Sequence, residues 1–173
     1  MTLLVLSDSH GRPDRIREAI ARVKPDGILF CGDGLRDLTD CELPCPLWVV
    51  KGNCDWFTSP LILNNGTTLE AESEELITLG GIRILLLHGH TCGVKSGLGG
   101  AIQQAIRREA DLLVYGHTHL PTELHLRPED RRAEFGVVKP LTVFNPGSIG
   151  DRDASFGTVT IRDGVILCGH GNL

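Results

Sequence analysis

The first 31 residues constrain the fold most, because two kinds of apolar pattern alternate in them. Residues 2–6 and 27–31 are short, continuous apolar runs, which predict buried strands. Between them, Ile16, Ala19, Ile20 and Val23 follow the i, i+3, i+4, i+7 spacing of an amphipathic helix, predicted over residues 12–23. A strand, a helix and a strand in this order predict a β-α-β unit. A parallel sheet is therefore expected, with functional loops at the carboxyl ends of its strands.

The rest of the chain repeats these patterns and then changes character. Further strands are predicted at residues 47–50, 67–71, 75–79, 82–87 and 112–115, with a second helix over residues 98–106. Beyond them, short runs split by turn residues predict a meander without helices, at residues 122–126, 134–138, 141–144, 158–161 and 165–168. Together these elements predict an α/β fold of two packed sheets with helices outside, in one domain spanning residues 1–173.

Composition excludes several classes of protein. The net charge of -5 argues against non-specific binding to nucleic acid or anionic membranes, so the arginine pairs at residues 107–108 and 131–132 are interpreted as solvated surface. No segment approaches the roughly 20 apolar residues of a membrane span, and the start lacks the basic region of a secretory leader. We therefore expect a soluble, cytoplasmic protein.

The six cysteines are scattered without paired C-x-x-C spacing. Without a secretory signal, this scatter favours buried or free thiols over disulfides. Cys41 and Cys45 flank a tripeptide and could clasp a metal, but the second half of such a site is missing. They are interpreted as ordinary loop thiols.

Clusters of ligand-type side chains follow five of the predicted strands. They are Asp8-Ser9-His10, Gly32-Asp33, Gly52-Asn53-Cys54-Asp55, His88-Gly89-His90 and Gly116-His117-Thr118-His119. Any one of them alone is more simply a turn or a helix cap. Five converging clusters would crowd carboxylates and imidazoles together, which is unfavourable unless cations neutralise the carboxylates and use the imidazole lone pairs. Their co-occurrence predicts a pair of divalent metals.

The order of the clusters resembles the calcineurin-like metallophosphoesterases, whose motifs are D-x-H, G-D, G-N-x-D, H-G-H and G-H-x-H. The match runs from Leu3 to about Ser148. The short chain, the H-G-H before a helix and the late Asn-Pro-Gly-Ser at residues 145–148 are similar to the small bacterial and archaeal phosphodiesterase branch, which is related to the retromer scaffold subunit. The resemblance implies a four-layer αββα sandwich of two mixed β-sheets flanked by helices.

The resemblance also implies a set of metal ligands. It assigns one ion to Asp8, His10, Asp33 and His119, and a second to Asp33, Asn53, His88 and His117, with Asp33 bridging. Imidazoles suit Mn, Fe, Co, Ni or Zn better than Ca or Mg, so we expect two divalent transition-metal ions, manganese first. Two ions about 4 Å apart lower the pKa of a shared water and hold it in line with phosphorus. Hydrolysis of a phosphate ester by a bridging hydroxide, without a covalent phosphoenzyme, is the predicted reaction.

One position departs from the wider family. Many members have G-N-H-[DE], whose histidine is credited with protonating the leaving group, and here Cys54 takes that place. A thiol is a different acid and a poor hydrogen-bond donor, so the leaving-group acid stays open. His90 is the nearest replacement, although it is equally well interpreted as a structural histidine. The predicted catalytic residues are Asp33, Asn53 and His90.

Two further features adjoin the motifs without belonging to the ligand set. Asp55 is interpreted as orienting Asn53 or the neighbouring loop, or as capping a turn. Residues 145–148 are predicted to support the site from beneath.

Three functions are compatible with these residues. A phosphodiesterase with a small substrate is preferred over a monoesterase. A metal-binding scaffold that lost catalysis is an alternative, but it would not need all seven ligands, and here none is replaced. A nuclease is a third, disfavoured because no contiguous basic surface is apparent. The physiological substrate, the native metals and the oligomeric state stay open, although exposed strand edges would allow a homo-oligomer.

Overall fold

Two five-stranded sheets pack face to face, with a small two-stranded sheet beside them. The computed structural model describes residues 1–56, 60–129 and 135–173. In chain order the elements are β1 (Thr2–Leu6), α1 (Pro13–Val23), β2 (Gly27–Phe30), β3 (Leu47–Val49), β4 (Leu61–Ile62), β5 (Thr68–Leu69), β6 (Glu74–Leu79), β7 (Ile82–Leu87), α2 (Gly99–Arg107), β8 (Leu112–Tyr115), β9 (Thr122–Leu126), β10 (Leu141–Asn145), β11 (Ser155–Arg162) and β12 (Val165–Asn172). Among the described residues, the 3₁₀ helices Leu35–Asp40 and His90–Cys92 lie in loops.

Alternating side chains of the central strands create the layers. In β1, Leu4 and Leu6 pack in one cluster with α1, whereas Leu3 and Val5 pack in another between the sheets. In β7, Ile84 and Leu86 join that inter-sheet cluster, while Leu85 and Leu87 pack with α2 on the far side. Because both faces of these strands are buried, their sequences are continuously apolar. The order helix, sheet, sheet, helix confirms the predicted four-layer sandwich.

Strand direction places the loops that carry the predicted ligands at one end of the molecule. The first sheet has the order β12-β11-β1-β2-β3, in which β1, β2 and β3 are parallel neighbours. The second has the order β6-β7-β8-β10-β9, in which β7, β8 and β10 are parallel neighbours. Both sheets are mixed, because antiparallel strands flank each parallel core. The loops after parallel neighbours leave at a common edge.

The predicted C-terminal meander is wrong. β9 and β10 belong to the second sheet, whereas β11 and β12 complete the first. The chain crosses between the sheets after β10, where Ile149 N–H donates to the Ser7 carbonyl over 3.0 Å. Alternating apolar residues identify a strand but not its neighbours, so the pattern could not show this division.

Several local predictions also need correction. The strand predicted over residues 134–138 is absent from residues 136–138, where Gly136 has a φ of +67° that breaks extended structure, and Glu134 lies outside the described residues. The strand predicted over residues 67–71 is only Thr68–Leu69, paired with β4. Arg107 and Arg108 are exposed, as expected, while Arg131 and Arg132 also lie outside the described residues.

Two findings bear on the expectations from composition. All six cysteines are free. In the described part of the chain, no helix has both the length and the apolar character needed to cross a membrane.

The inter-sheet core should dominate stability. Replacing the fully buried Leu86 by alanine is expected to lower the free energy of unfolding by about 2–5 kcal/mol, because a cavity opens between the sheets. The matched change at Leu167, which is 60% exposed, should cost less than about 0.5 kcal/mol. Urea denaturation of both variants measures the difference, and equal losses would contradict this assignment of the core.

Candidate metal centre

The loops after β1, β2, β3, β7 and β8 bring the predicted ligands together. Donor atoms of Asp8, His10 and His119 all lie within 4.8 Å of one another, and so do those of Asp33, His88 and His117. Asn53 Oδ1 lies 3.2 Å from His88 Nε2, which places it beside the second group. The seven side chains predicted from the sequence therefore occupy one end of the sandwich, in two adjoining groups.

The backbone at this end is strained. Eight non-glycine residues in the described part of the chain have a positive φ near the left-handed region, and five of the eight are predicted ligands. The five are Asp8, His10, Asp33, His117 and His119. Each such residue costs roughly 1–3 kcal/mol, and the conformation persists only where the surrounding structure enforces it. The left-handed conformation directs these side chains towards the two groups of predicted ligands.

His88 is fixed so that a lone pair faces the second group. Its Nδ1 lies 2.6 Å from the Cys31 carbonyl oxygen, which can only accept, so Nδ1 carries the hydrogen. Its Nε2 then lies near three atoms of metal-ligand type: His117 Nδ1 at 3.1 Å, Asn53 Oδ1 at 3.2 Å and Asp33 Oδ2 at 3.3 Å. Ligand atoms gathered around one point fit a cation.

The charges of the second group also favour a bound cation. Burial opposes a positive charge on His88, but the carboxylates of Asp33 and Asp8 outweigh it and raise the pKa of the imidazole. Burial and the neighbouring His88 lower the pKa of His117 to about 4. Burial alone would raise the pKa of Asp33, yet the hydrogen bond from His88 when its Nε2 is protonated, together with the one from the Cys54 backbone N–H, holds that pKa well below its ordinary value. Asp33 is therefore ionised, and a cation bound between Asp33 and His88 would take the place of that proton.

Asp8 presents an unsatisfied oxygen to the first group. The side chain is fully buried, and its Oδ2 accepts hydrogen bonds from Ser7 Oγ and from His117 N–H. Its Oδ1 has no hydrogen-bond partner among the described residues, although His119 Nε2 lies 3.2 Å away and His10 Nε2 lies 3.8 Å away. A buried carboxylate oxygen without a proton donor is costly, and a divalent cation would satisfy it.

Asp151, which the sequence did not single out, orients His119. Its Oδ2 lies 2.9 Å from His119 Nδ1, so that nitrogen donates to the carboxylate and Nε2 keeps its lone pair towards Asp8. A carboxylate behind a ligand histidine is a common support of metal sites. The contact joins residues 32 positions apart and belongs to no motif, so no sequence signal pointed to it.

Buried carboxylates also fix the loops that carry the ligands. Asp55 is only 3% exposed and accepts four backbone N–H groups, from residue 52 and from residues 33 to 35, over 2.7–3.0 Å. It therefore orients the Asp33 loop, which is one of the roles predicted for it. Asp37, missed by sequence reasoning, holds the Asp8 loop through Ser9 Oγ at 2.6 Å and Gly11 N–H at 2.8 Å.

Two glycines allow the loops to approach each other. A Cβ at Gly52 would lie 2.0 Å from Asp33 Oδ1, and one at Gly116 would lie 1.9 Å from Ser7 Oγ. Any side chain there would displace a predicted ligand or its hydrogen-bond donor. Glycine is required at these positions by space rather than by backbone conformation.

The segment at residues 145–148 links loops of both sheets. Asn145 Nδ2 donates to the Gly116 carbonyl over 2.9 Å and to Thr118 Oγ1 over 3.1 Å. Ser148 Oγ donates to the Asp8 carbonyl over 2.9 Å. The predicted supporting role of this segment agrees with these contacts.

Comparison with known proteins gives the family. Residues 1–164 match the model of the calcineurin-like phosphoesterase superfamily domain. The chain belongs to that superfamily. One sequence relative is the probable metallophosphoesterase YsnB of Bacillus subtilis, which is 30% identical over an alignment of 151 positions that covers 86% of this chain and 75% of YsnB. Another is the phosphodiesterase YfcE of Escherichia coli, which is 28% identical over an alignment of 180 positions that covers 91% of this chain and 86% of YfcE. Membership supports a hydrolase of phosphate esters that uses divalent metal ions.

A solved structure shares the fold of this phosphoesterase. An archaeal phosphodiesterase superposes with a TM-score of 0.73 at 20% identity, and the match covers 100% of both chains. The likeness confirms the metallophosphoesterase fold expected from the sequence. At this level of identity it bears on the fold alone.

His90 and Cys54, the two residues considered as the leaving-group acid of this phosphoesterase, lie beside the predicted ligands. The ring of His90 lies 5.4 Å from that of His88 and 6.2 Å from that of His117, between centroids. Its Nδ1 is a buried atom without a hydrogen-bond partner in the described residues, and burial with the adjacent His88 lowers its pKa. Cys54 is exposed, and partial burial together with the Asp33 carboxylate raises the pKa of its thiol to about 11, which makes it a weak acid.

Asp55→Asn tests whether the Asp55 carboxylate holds the Asp33 loop in place. The amide NH₂ group cannot accept hydrogen bonds, so some of the four backbone N–H groups would lose their acceptor, and the free energy of unfolding should fall by about 3 kcal/mol. Metal affinity should fall about 10- to 100-fold, because the loop no longer holds Asp33 in place. Denaturation and metal titration measure these changes. Asp163→Asn, a change at a side chain that is 91% exposed, should alter neither quantity, and an unaffected Asp55→Asn protein would exclude this role of Asp55.

Proposed function

We propose that this chain, as one domain of residues 1–173, is a phosphodiesterase with two divalent transition-metal ions bound at the seven-residue centre. The observation that carries the proposal is the gathering of metal-ligand atoms at one end of the sandwich. Asp8 Oδ1 is buried without a hydrogen-bond partner in the described residues, and His88 Nε2 lies within 3.3 Å of atoms of Asp33, Asn53 and His117. Cations bound among these atoms would satisfy them.

The distribution of ligands supports two ions rather than one. Asp8, His10 and His119 form one group, and Asp33, His88 and His117 form the other, with Asn53 beside it. The Asp33 carboxylate also lies within 4.8 Å of a donor atom of His10, so it reaches both groups and suits a bridging role. Two ions held by these residues would lower the pKa of a water towards neutrality and would neutralise phosphoryl oxygens, which is the chemistry that hydrolysis of a phosphate ester needs.

The donor set favours transition metals. Four of the seven ligands are imidazoles, which bind Mn, Fe, Co, Ni or Zn more readily than Mg or Ca. We place manganese first, because carboxylate and amide oxygens complete the set. His88 and His119 are pre-oriented by the Cys31 carbonyl and the Asp151 carboxylate, so both present lone pairs without rearrangement.

The surroundings favour a small diester. A cavity of about 540 Å³ beside His119 is lined by Leu120, Pro121 and the charged residues 151–153, and this volume suits a small molecule. His90 provides a ring nitrogen for a hydrogen bond to substrate near the second ligand group. Cys54 is a weak hydrogen-bond donor, so an ester that needs little protonation of its leaving group suits the site better than a monoester.

Asp33→Asn should remove the ligand common to both ions. We expect bound metal to fall and turnover of bis(p-nitrophenyl) phosphate with added Mn²⁺ to fall by about 100-fold or more, a loss typical of removing one strong electrostatic contact. Metal analysis and initial rates measure these effects, with Asp163→Asn as the matched control. Unchanged turnover in Asp33→Asn would refute the assignment of the site.

The substrate class has its own test. The Mn²⁺-loaded protein should hydrolyse bis(p-nitrophenyl) phosphate with a higher kcat/KM than p-nitrophenyl phosphate. Both release p-nitrophenolate, so the ratio compares a diester with a monoester at a constant leaving group. A preference for the monoester would contradict the diester proposal. Metal-replete protein without turnover of either would favour the scaffold alternative, and faster cleavage of oligonucleotides than of small diesters would favour a nuclease.

A further inference from the structure

A third group of donor atoms lies beside the two just described. A nitrogen of His10, a carboxylate oxygen of Asp33 and Cys54 Sγ all lie within 4.8 Å of one another. The first two belong to the proposed ligands, whereas the thiol does not. The group therefore joins a soft sulfur ligand to a site otherwise built from nitrogen and oxygen.

Neighbouring hydrogen bonds hold the sulfur in this position. Asn53 Nδ2 donates to Cys54 Sγ over 3.1 Å, and the Cys54 backbone N–H donates to Asp33 Oδ1 over 2.7 Å. Asn53 thus directs its amide oxygen towards His88 and its amide nitrogen towards the thiol. Cys54 is exposed and lies in the loop after β3, whereas Asp33 lies in the loop after β2.

A further observation points to a cation beside this group. Asp8 Oδ1 is fully buried and has no hydrogen-bond partner among the described residues, and it lies 3.8 Å from His10 Nε2, which joins the two groups. The Asp33 carboxylate, with an oxygen within 4.8 Å of a His10 nitrogen, adds a second negative charge. Two carboxylates near one exposed imidazole and one thiol attract a positive ion rather than another acceptor.

We propose that Cys54 is a metal ligand, which completes a His10–Asp33–Cys54 site for a thiophilic divalent ion such as Zn²⁺ or Cd²⁺. The proposal rests on the proposed function, because His10 and Asp33 also serve there. Binding breaks the Sγ–H bond and forms a metal–sulfur bond, and the proton passes to solvent without any change of oxidation state. Soft thiolate ligands favour Zn²⁺ or Cd²⁺ over Mn²⁺, so Cys54 would make the centre discriminate between metals.

The spacing suits such an ion after a small adjustment. Zinc lies about 2.0–2.3 Å from nitrogen, oxygen and sulfur ligands in a tetrahedral arrangement, which separates ligand atoms by about 3.5 Å. Separations of up to 4.8 Å must therefore close by roughly 1 Å. Cys54 is exposed and the His10 side chain is 37% exposed, so rotation of these two side chains can supply that closure while the Asp33 loop stays fixed.

Cobalt substitution tests the ligand directly. The metal-free full-length protein is titrated with Co²⁺ and followed by absorption, because a thiolate bound to Co²⁺ gives a near-ultraviolet charge-transfer band that nitrogen and oxygen ligands do not. We expect the band in the native protein and in Cys92→Ser, and its loss in Cys54→Ser. Competition with Cd²⁺ should show an affinity about 10- to 100-fold weaker, or more, in Cys54→Ser, with a much smaller change for Mn²⁺.

The same spectra separate the two proposals. Visible Co²⁺ bands without a charge-transfer band would overturn the role of Cys54 and leave the two-metal centre standing. A charge-transfer band that persists in Cys54→Ser would overturn it as well, because another thiol would then be the ligand. No Co²⁺ bands of either kind would refute the metal centre itself, and with it the ligand role of Cys54.

Discussion

The gathering of metal-ligand atoms at one end of the sandwich is the constraint on which the rest of this structure depends. Asp8 Oδ1 lacks a hydrogen-bond donor in the described part of the chain, and His88 Nε2 faces Asp33, Asn53 and His117. Left-handed backbone at five of the ligands adds roughly 1–3 kcal/mol of strain each. The apolar core between the two sheets offsets this cost, because it is formed by strands buried on both faces.

The loops keep their positions because buried polar groups join them across the fold. Asp55 ties the loop after β3 to the loop after β2, and Asp37 ties that second loop to the one after β1. Asn145 and Ser148 connect the β8 loop of one sheet with the β1 loop of the other. The loops that carry Asp8, Asp33 and His117 are thus supported by side chains that do not themselves enter the centre. Preorganisation of this kind lets a site bind ions without first ordering its loops.

The sequence predicts the elements of this fold whose burial produces a clear pattern of apolar residues. β1, β7, β8 and β9 have the predicted bounds, because continuous or alternating apolar residues end at polar turns. The division of the last four strands between two sheets was not predictable, since β10 and β11 have similar patterns but different neighbours. The candidate ligands followed from motifs, whereas Asp37 and Asp151 act across 26 to 32 residues without any local signature. Tertiary contacts of this kind leave no periodic trace in one sequence.

The place of β1 in the first sheet affects how the protein can form during synthesis. β1 pairs with β11 in a register that joins Thr2 to Thr160, and the Asp8 carbonyl accepts the Gly150 backbone N–H. During synthesis β1 therefore waits for β11, and the Asp8 loop lacks its final support until residue 150 has emerged. Such distant pairing favours slow folding, and it leaves one edge of an apolar strand unpaired on the nascent chain until β11 has emerged.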